Sequence, residues 1–318
     1  MIPTRVAEAM ALLLDGDPAQ PLVTYLGPGA ARTELSVRTF ENNVAKAANL
    51  LRDDADVTPS SRVVVLLPPH WQTAVWLGAC AATGCAAWID GDPAQPLVTY
   101  LGPGGERTEL SVRTFENNVA KAANLLRDDA DAGAGDRVAL LLPPHWQTAV
   151  WLGACAAVGC TAWIDGDPTE ATVEVSVVGP DRLDAPRAPV ALATSLHPFG
   201  MPFTPPLPSG LLDAAVEVRA HGDRFTPYDV VSGDAEWLVV DGRGLTQAHA
   251  LTEGAALAER VGLRGGGRLL CDVATSADAV LAMLAVPLAV AGSVVLVADR
   301  GADLDELAAR ERCDAVLA

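Results

Sequence analysis

One stretch of the chain occurs twice in succession, and every reading of the fold has to accommodate it. From Asp15 to Ile89 the letters run DGDPAQPLVTYLGPG, RTELSVRTFENNVAKAANLLRDDAD, then LLPPHWQTAVWLGACAA; they recur from Asp90 to Ile164, displaced by 75 residues and altered at eleven positions. A third DGDP follows at Asp165 to Pro168. The duplication therefore reads as misaligned recombination between two short identical stretches of a shorter ancestor. A solenoid is a different object, built from many diverged units of roughly 20–50 residues.

Each copy encodes one α/β segment. In the second, Leu97 to Leu101 and Arg107 to Leu110 predict two strands joined by Gly102-Pro103-Gly104, and Ser111 is placed to cap a helix. Phe115, Val119, Ala122 and Leu126 share one face of that helix, while Arg113, Glu116, Lys121 and Arg127 point elsewhere. Val138 to Leu142 is a charge-free strand ending at Pro143-Pro144. His145 to Cys160 follows as a helix without Asp, Glu, Lys or Arg, hence buried. Strand, helix and strand in this order predict a right-handed crossover in an α/β fold, a mainly parallel sheet with flanking helices.

Residues 165–235 carry nine prolines between Pro168 and Pro208, so irregular connecting structure is expected, with strands at Thr172 to Val178 and Pro189 to Thr194. Alternation resumes afterwards: strand Trp237 to Val240, helix Thr246 to Val261, strand Arg268 to Asp272, helix Ala277 to Ala291, strand Ser293 to Ala298, helix Asp303 to Arg312, strand Asp314 to Leu317. The expected division is an extra lobe, residues 1–89, beside a main unit, 90–318, made of the second copy (90–164), the Pro-rich connection (165–235) and a second α/β half (236–318). The extra lobe has buried elements that need a partner surface. It must pack on the main unit, self-associate or expose an apolar patch.

Composition excludes several functions. With a formal net charge of −18 the surface is acidic, so nucleic acid is not an expected partner. Only two of the 22 basic residues are lysines, the repeat-equivalent Lys46 and Lys121, which nearly removes lysine chemistry. MIPTRVAEAMALLLDGD has too short an apolar run for a secretory signal and reads as an amphipathic helix, giving a cytoplasmic expectation. Ala279 to Ala298 has the length of a membrane span of about 20 residues. Pro287 and Gly292-Ser293 divide it into a buried helix and a buried strand, so no membrane is expected. Cys80/Cys85 and Cys155/Cys160 are one pair used twice. At the helical period of about 3.6 residues their thiols stand about 140° apart, which does not suit a shared metal, and no metal site is expected.

The second copy, from ERTELSVRTFENNVAKAANLLRDD through GDRVALLLPPHWQTAVWLGACAAVGC, resembles the opening of the adenylate-forming superfamily, the acyl-CoA synthetases and related AMP-dependent ligases. GLTQAHALTEGAALAERVGLRGGGRLL and PLAVAGSVVLVADRGADLDELAARERCDAVLA resemble the stretch after its phosphate loop. With SLHPFGMPF and AAVEVRAHGDRFTP, the whole looks most like an uncharacterised family of short actinobacterial proteins that keep only the front of that architecture. The resemblance implies the fold of the first part of the N-terminal domain of acyl-CoA synthetases. It also implies a Ser/Thr/Gly-rich loop ending in Pro-Lys-Gly before the helix at Thr246, whose amides and lysine hold ATP phosphates. This chain has Asp241-Gly242-Arg243-Gly244-Leu245 there, shortened and without lysine. The later adenine and ribose motifs and the carboxy-terminal domain with its catalytic lysine are expected to lie beyond Ala318.

No catalytic residue is therefore assigned, and no cofactor: ATP and AMP are compatible with the superfamily but supported by no motif here. The degenerate phosphate-loop position, Gly242, Arg243, Gly244 and Thr246, is the candidate anion site, because a helix amino terminus beside a guanidinium suits phosphate or carboxylate. His145, with its twin His70, is a candidate ligand contact at the edge where open α/β sheets bind; the alternative is a turn that packs the helix entrance. His249 reads as a packing or surface residue, His221 to Phe225 as a turn with a local Asp/Arg pair, and Gly265 to Gly267 as a connecting turn. Three functions stay open: a non-catalytic relative that binds a ligand or a protein, one part of a split ligase completed by another chain, and a structural relic.

Overall fold

The structure is a computed structural model that describes residues 6–26, 32–59, 61–65, 70–89, 95–170, 172–204, 206–228, 230–272, 276–299 and 301–318. It divides into two compact units, Met1–Pro93 and Ala94–Ala318. The DGDP at 90–93 and the first five residues of the amino-terminal helix fall outside the described residues.

The first unit holds α1 (Val6–Asp15), β1 (Pro21–Leu26), β2 (Arg32–Ser36), α2 (Val37–Asn49) with a π-helical turn Leu50–Asp54, β3 (Arg62–Val65), α3 (Trp71–Thr83) and β4 (Ala86–Ile89). β1 and β2 form an antiparallel hairpin, β3 and β4 a parallel pair, and each pair stands as a two-stranded sheet. Its apolar interior is two small clusters. One surrounds Leu51, Ala79 and Cys80, the other Phe40 and Val75, and Met10 of α1 packs on the latter.

The second unit begins with the same elements: β5 (Pro96–Leu101), β6 (Arg107–Ser111), α4 (Val112–Asn124) with the π-helical turn Leu125–Asp129, β7 (Arg137–Leu141), α5 (Trp146–Val158) and β8 (Thr161–Ile164). It continues through β9 (Val173–Val178), β10 (Val190–Ala193), β11 (Leu212–Asp213), α6 (Ala214–Glu217), β12 (Glu236–Val240), β13 (Arg243–Thr246), α7 (Gln247–Arg260), β14 (Arg268–Asp272), α8 (Ala277–Met283), α9 (Ala285–Val290), β15 (Ser293–Val297), α10 (Leu304–Glu311) and β16 (Ala315–Leu317). Two sheets result, ordered β11-β10-β9-β7-β8-β12-β13 and β16-β14-β15-β5-β6. All their pairings are parallel except the hairpins β5–β6 and β12–β13. This is the mainly parallel α/β fold with flanking helices that the alternation of elements predicts.

The hairpins are exchanged between the halves. β5–β6 leads into α4 and β7 but pairs with β15 of the later half; β12–β13 leads into α7 and β14 but pairs with β8 of the earlier one. Each sheet is thus completed by a strand from the other half, and one continuous core runs from Val98 through Leu140 and Leu238 to Leu296. A second cluster around Leu141, Val178 and Ala193 covers the other face of the seven-stranded sheet. Burial on both faces is what charge-free strands such as Val138 to Leu142 require.

Four local expectations change. In residues 165–235 the two expected strands form as β9 and β10, and an unexpected third, β11, joins them, so this stretch supplies three of the seven strands. The helix expected over Ala277 to Ala291 breaks at Leu284 (φ −143°, ψ −47°), because Pro287 has no amide to donate to Met283 and its ring would strike that carbonyl. Cys85 and Cys160 lie beyond the ends of α3 and α5, so the helical angle between the paired thiols does not apply. Asp223 pairs with Lys121 at 3.0 Å and leaves Arg224 aside, so the local pair at His221 to Phe225 is replaced by a contact to α4. Among the described residues no helix is long and apolar enough to cross a membrane.

Candidate functional site

β7, β8, β9, β10 and β12 run parallel, so their carboxyl ends share one edge of the seven-stranded sheet. The chain leaves β7 for β8 on one side and then crosses to β9 on the other, which makes the end of β7 a topological switch point. Open α/β sheets bind ligands in the crevice outside such a point, because the diverging connections leave it uncovered. A cavity of about 180 Å³ lies there, lined by Leu142 and Pro143 after β7, Asp165 after β8, Gly179 and Arg182 after β9, and Leu196 after β10.

Three non-glycine residues on this edge have left-handed backbones: Asp165 (φ 50°), Leu196 (φ 54°) and Asp241 (φ 51°). Such conformations cost of order 1 kcal/mol or more and cluster where a site has to be shaped. The Arg182 guanidinium stands 3.8 Å from the Asp165 carboxylate, both half-exposed, and Asp181 adds a second carboxylate to the lining. Two negative charges against one positive make the crevice better suited to a neutral, hydroxyl-bearing or cationic group than to an anion. Asp165 opens the third DGDP directly after a strand, and Gly179-Pro180 follows another; those were the signals in the sequence that could have located this crevice.

His145 caps α5 at the same edge. Its Nδ1 accepts the Gln147 backbone N–H at 3.1 Å, which leaves the proton on Nε2. The ring packs edge-on against Tyr100 with centroids 4.1 Å apart, and the residue is 1% exposed. Burial pushes its pKa down to about 3. The imidazole is therefore neutral, its one lone pair is taken by the helix, and it cannot serve as a general base near neutral pH. His145 Nε2, Trp146 Nε1 and Gln147 Oε1 are buried without hydrogen-bond partners, three successive residues with unmet polar capacity. His70 repeats the cap and the tyrosine contact in the first unit, to Gln72 N–H at 3.2 Å and to Tyr25 at 4.4 Å.

The candidate anion position is a tight hairpin. Asp241 and Gly242 both have positive φ (51° and 74°), the conformation of a two-residue type I′ turn, and β13 pairs back along β12 from Val240↔Arg243 to Glu236↔Thr246. Gly242 and Arg243 consequently sit at the carboxyl edge, whereas Thr246 lies at the opposite edge, where its hydroxyl caps α7 by accepting the His249 N–H at 3.2 Å. Arg243 is held by Glu253 through both guanidinium nitrogens, one bond at 3.1 Å, and His249 reaches the same carboxylate at 3.2 Å. An anion at Arg243 has to displace Glu253. Asp-Gly between alternating apolar residues is a strong hairpin signal, and its reading as a shortened loop missed it.

Thiol chemistry is suppressed in this unit. Burial raises Cys155 well above the ordinary thiol value and pushes Cys160 and Cys271 up to about 12, so all three are protonated at neutral pH. Among the described residues no cluster of three or more His, Cys, Asp or Glu is placed to hold a metal ion.

No family model matches the chain. A TIGR03089 family protein of Mycobacterium tuberculosis is 38% identical over 208 residues, covering 61% of this chain and 81% of that protein. Among solved structures, an acyl-CoA synthetase of Brucella canis superposes with a TM-score of 0.56 at 17% identity, over 70% of this chain and 44% of its own. The acetoacetyl-CoA synthetase of Streptomyces lividans gives 0.51 at 22% identity, over 64% and 36%. The chain thus spans less than half the length of these structures, and at such identities the likeness is one of fold.

Proposed function

The chain belongs to the TIGR03089 family, and from that premise we propose that it is a non-catalytic relative of the AMP-dependent acyl-CoA synthetases that acts by binding a ligand or a protein. The observation that carries this reading is the Asp241-Gly242 hairpin. At the position where the resemblance puts a flexible Ser/Thr/Gly-rich loop with a lysine, the backbone is committed to a β-ladder and the nearest guanidinium to Glu253. A phosphate chain needs free amides and cationic side chains converging on it, and this turn supplies one occupied arginine. The switch-point crevice, with Asp165 and Arg182 on its wall, is the better ligand site in this reading. A residual anion contact at Gly242, Arg243 and Gly244 belongs to the proposal only as a weak secondary one. Residence in the cytoplasm is part of the same proposal.

ATP–pyrophosphate exchange with a panel of carboxylic acids, run beside calorimetric titration with ATP, AMP, an acyl-adenylate analogue and CoA, tests it. The expected result is no exchange with any acid. Exchange above background, or tight ATP binding lost in Arg243→Ala, would overturn it. One competing reading is a ligase completed in trans by a second chain. Copurification of a chain carrying the lysine-bearing loop, with exchange activity in the mixture alone, would establish that reading instead.

A further inference from the structure

The second unit shows what the duplicated helical face binds. In it, α4 and its π-helical turn carry the segment 211–228. Asn124 donates to the carbonyls of Gly222 (3.1 Å) and Arg224 (2.9 Å), and Arg127 donates to the Thr226 carbonyl (2.6 Å) while its guanidinium lies 4.7–4.8 Å from the Phe225 and Tyr228 rings. Lys121 pairs with Asp223 at 3.0 Å, and Asp129 with His221 at 3.0 Å. Beside these contacts the groove between α4 and α5 is covered by Ala214, Ala215 and Val218, leaving a cavity of about 70 Å³.

The first unit has the same side chains in the same fold: Lys46, Asn49, Arg52 and Asp54 on α2 and its turn, Trp71, Val75 and Trp76 on α3. Asn49 and Lys46 are exposed, and Leu50 is 48% exposed where its twin Leu125 is 2%. Arg52 contacts only its neighbours Asn49 and Asp53 among the described hydrogen bonds. The groove is open, at about 260 Å³. The described residues hold two such faces and one segment of the 211–228 kind, so exchange of that segment between copies of the chain covers one face and leaves the other uncovered.

We propose that the α2–α3 face of the first unit is a docking site for a separate protein partner that presents a segment of the chemistry seen at 211–228. That chemistry is a one-turn helix with small apolar residues on the buried side, then a histidine, an aspartate for Lys46 and an aromatic ring for Arg52. The site is distinct from the switch-point crevice and stands whether or not that crevice binds a ligand.

The test is fluorescence anisotropy of a labelled synthetic peptide of residues 209–228, SGLLDAAVEVRAHGDRFTPY, titrated with the full chain. Saturable one-to-one binding is expected, weakened at least tenfold in the double variant Asn49→Ala/Arg52→Ala. Both positions are exposed, so circular dichroism should show the variant folded. A peptide with Asp223→Lys should bind more weakly to the unaltered chain. Absence of saturable binding would overturn the proposal, as would binding unchanged in the double variant, which would place the peptide on the second unit. A dimer of the chain that the peptide dissociates, seen by sedimentation velocity, would give the face to a second copy and equally overturn it.

Discussion

Residues 21–54 and 96–129 are identical except at two turn positions, 30/105 and 31/106, and form the same hairpin, capped helix and π-helical turn, yet they end in different surroundings. In the second unit β5 lies between β6 and β15, and Leu97 through Leu101 are all buried. In the first, among the described residues, β1 pairs only with β2, and Leu26 is 73% exposed where Leu101 is 6%. The difference teaches that the local code is sufficient for the elements but says nothing of their enclosure. β15, β12, β9 and the 211–228 segment exist once, and they enclose the copy to which they are paired.

The same substitution placed in each copy measures this enclosure. Trp151 is 3% exposed and donates its indole N–H to Thr194 at 3.2 Å, whereas Trp76 is half-buried. Trp151→Ala should cost about 3–5 kcal/mol in urea unfolding, within the range for buried aromatic truncations; Trp76→Ala should cost less than half as much. Equal costs would mean that the first unit is as well enclosed as the second.

Asn124→Ala should cost about 1–3 kcal/mol, because it leaves two carbonyls of the 211–228 segment without their donor. Asn49→Ala, on the exposed face, should stay within about 0.5 kcal/mol. The pair of unfolding curves would break the comparison if the two changes were equivalent.

His145 sharpens it through pH. Its folded pKa, about 3, is below the unfolded value of about 6.5, so the unfolded chain binds the proton first. The stability tied to the neutral ring is fully present above pH 6.5 and is lost as pH falls toward 3, at up to about 1.4 kcal/mol per pH unit. His145→Asn keeps a capping acceptor and removes the titration; the difference between its stability and that of the unaltered chain should shrink, then reverse, as pH is lowered from 7 to 4. A constant difference would mean that the ring is not desolvated.

The smallest contrast is expected at Gly84 and Gly159, which end α3 and α5 with φ of 75° and 91°. Alanine at either should cost about 1 kcal/mol, since a left-handed backbone penalises any Cβ irrespective of enclosure. A large difference here would show that the two helices end differently.

Much of the fold was legible. The cap at Ser111, the helix starts near Thr246 and Asp303, the strands flanking α5 and the boundaries of β14 follow from local chemistry, and local chemistry is carried by neighbouring residues. The break at Leu284 is legible in Pro287, although the apolar run alone reads as one helix from Ala277 to Ala291. The candidate site was less so. Arg182, Leu196 and Asp165 are separated by up to 31 positions in the sequence, and only the crossing of the chain at β7 makes them neighbours. Conversely, Arg243 and Thr246, three residues apart, were grouped by sequence and are placed at opposite edges because the Asp241-Gly242 turn sends β13 the length of β12.

The sequence by itself determined that two equivalent α/β segments would form, since helix caps, apolar periodicity and turn residues act over a few positions and are the same in both. Only the tertiary structure decided how the second copy would be enclosed, which the expected division into residues 1–89 and 90–318 left open. Pairing with β15 and β12 and coverage by residues 211–228 are long-range contacts for which the copies compete on nearly equal local terms. The copy that continues directly into β9 reaches those partners with the shorter connection, and closing a shorter loop costs less entropy.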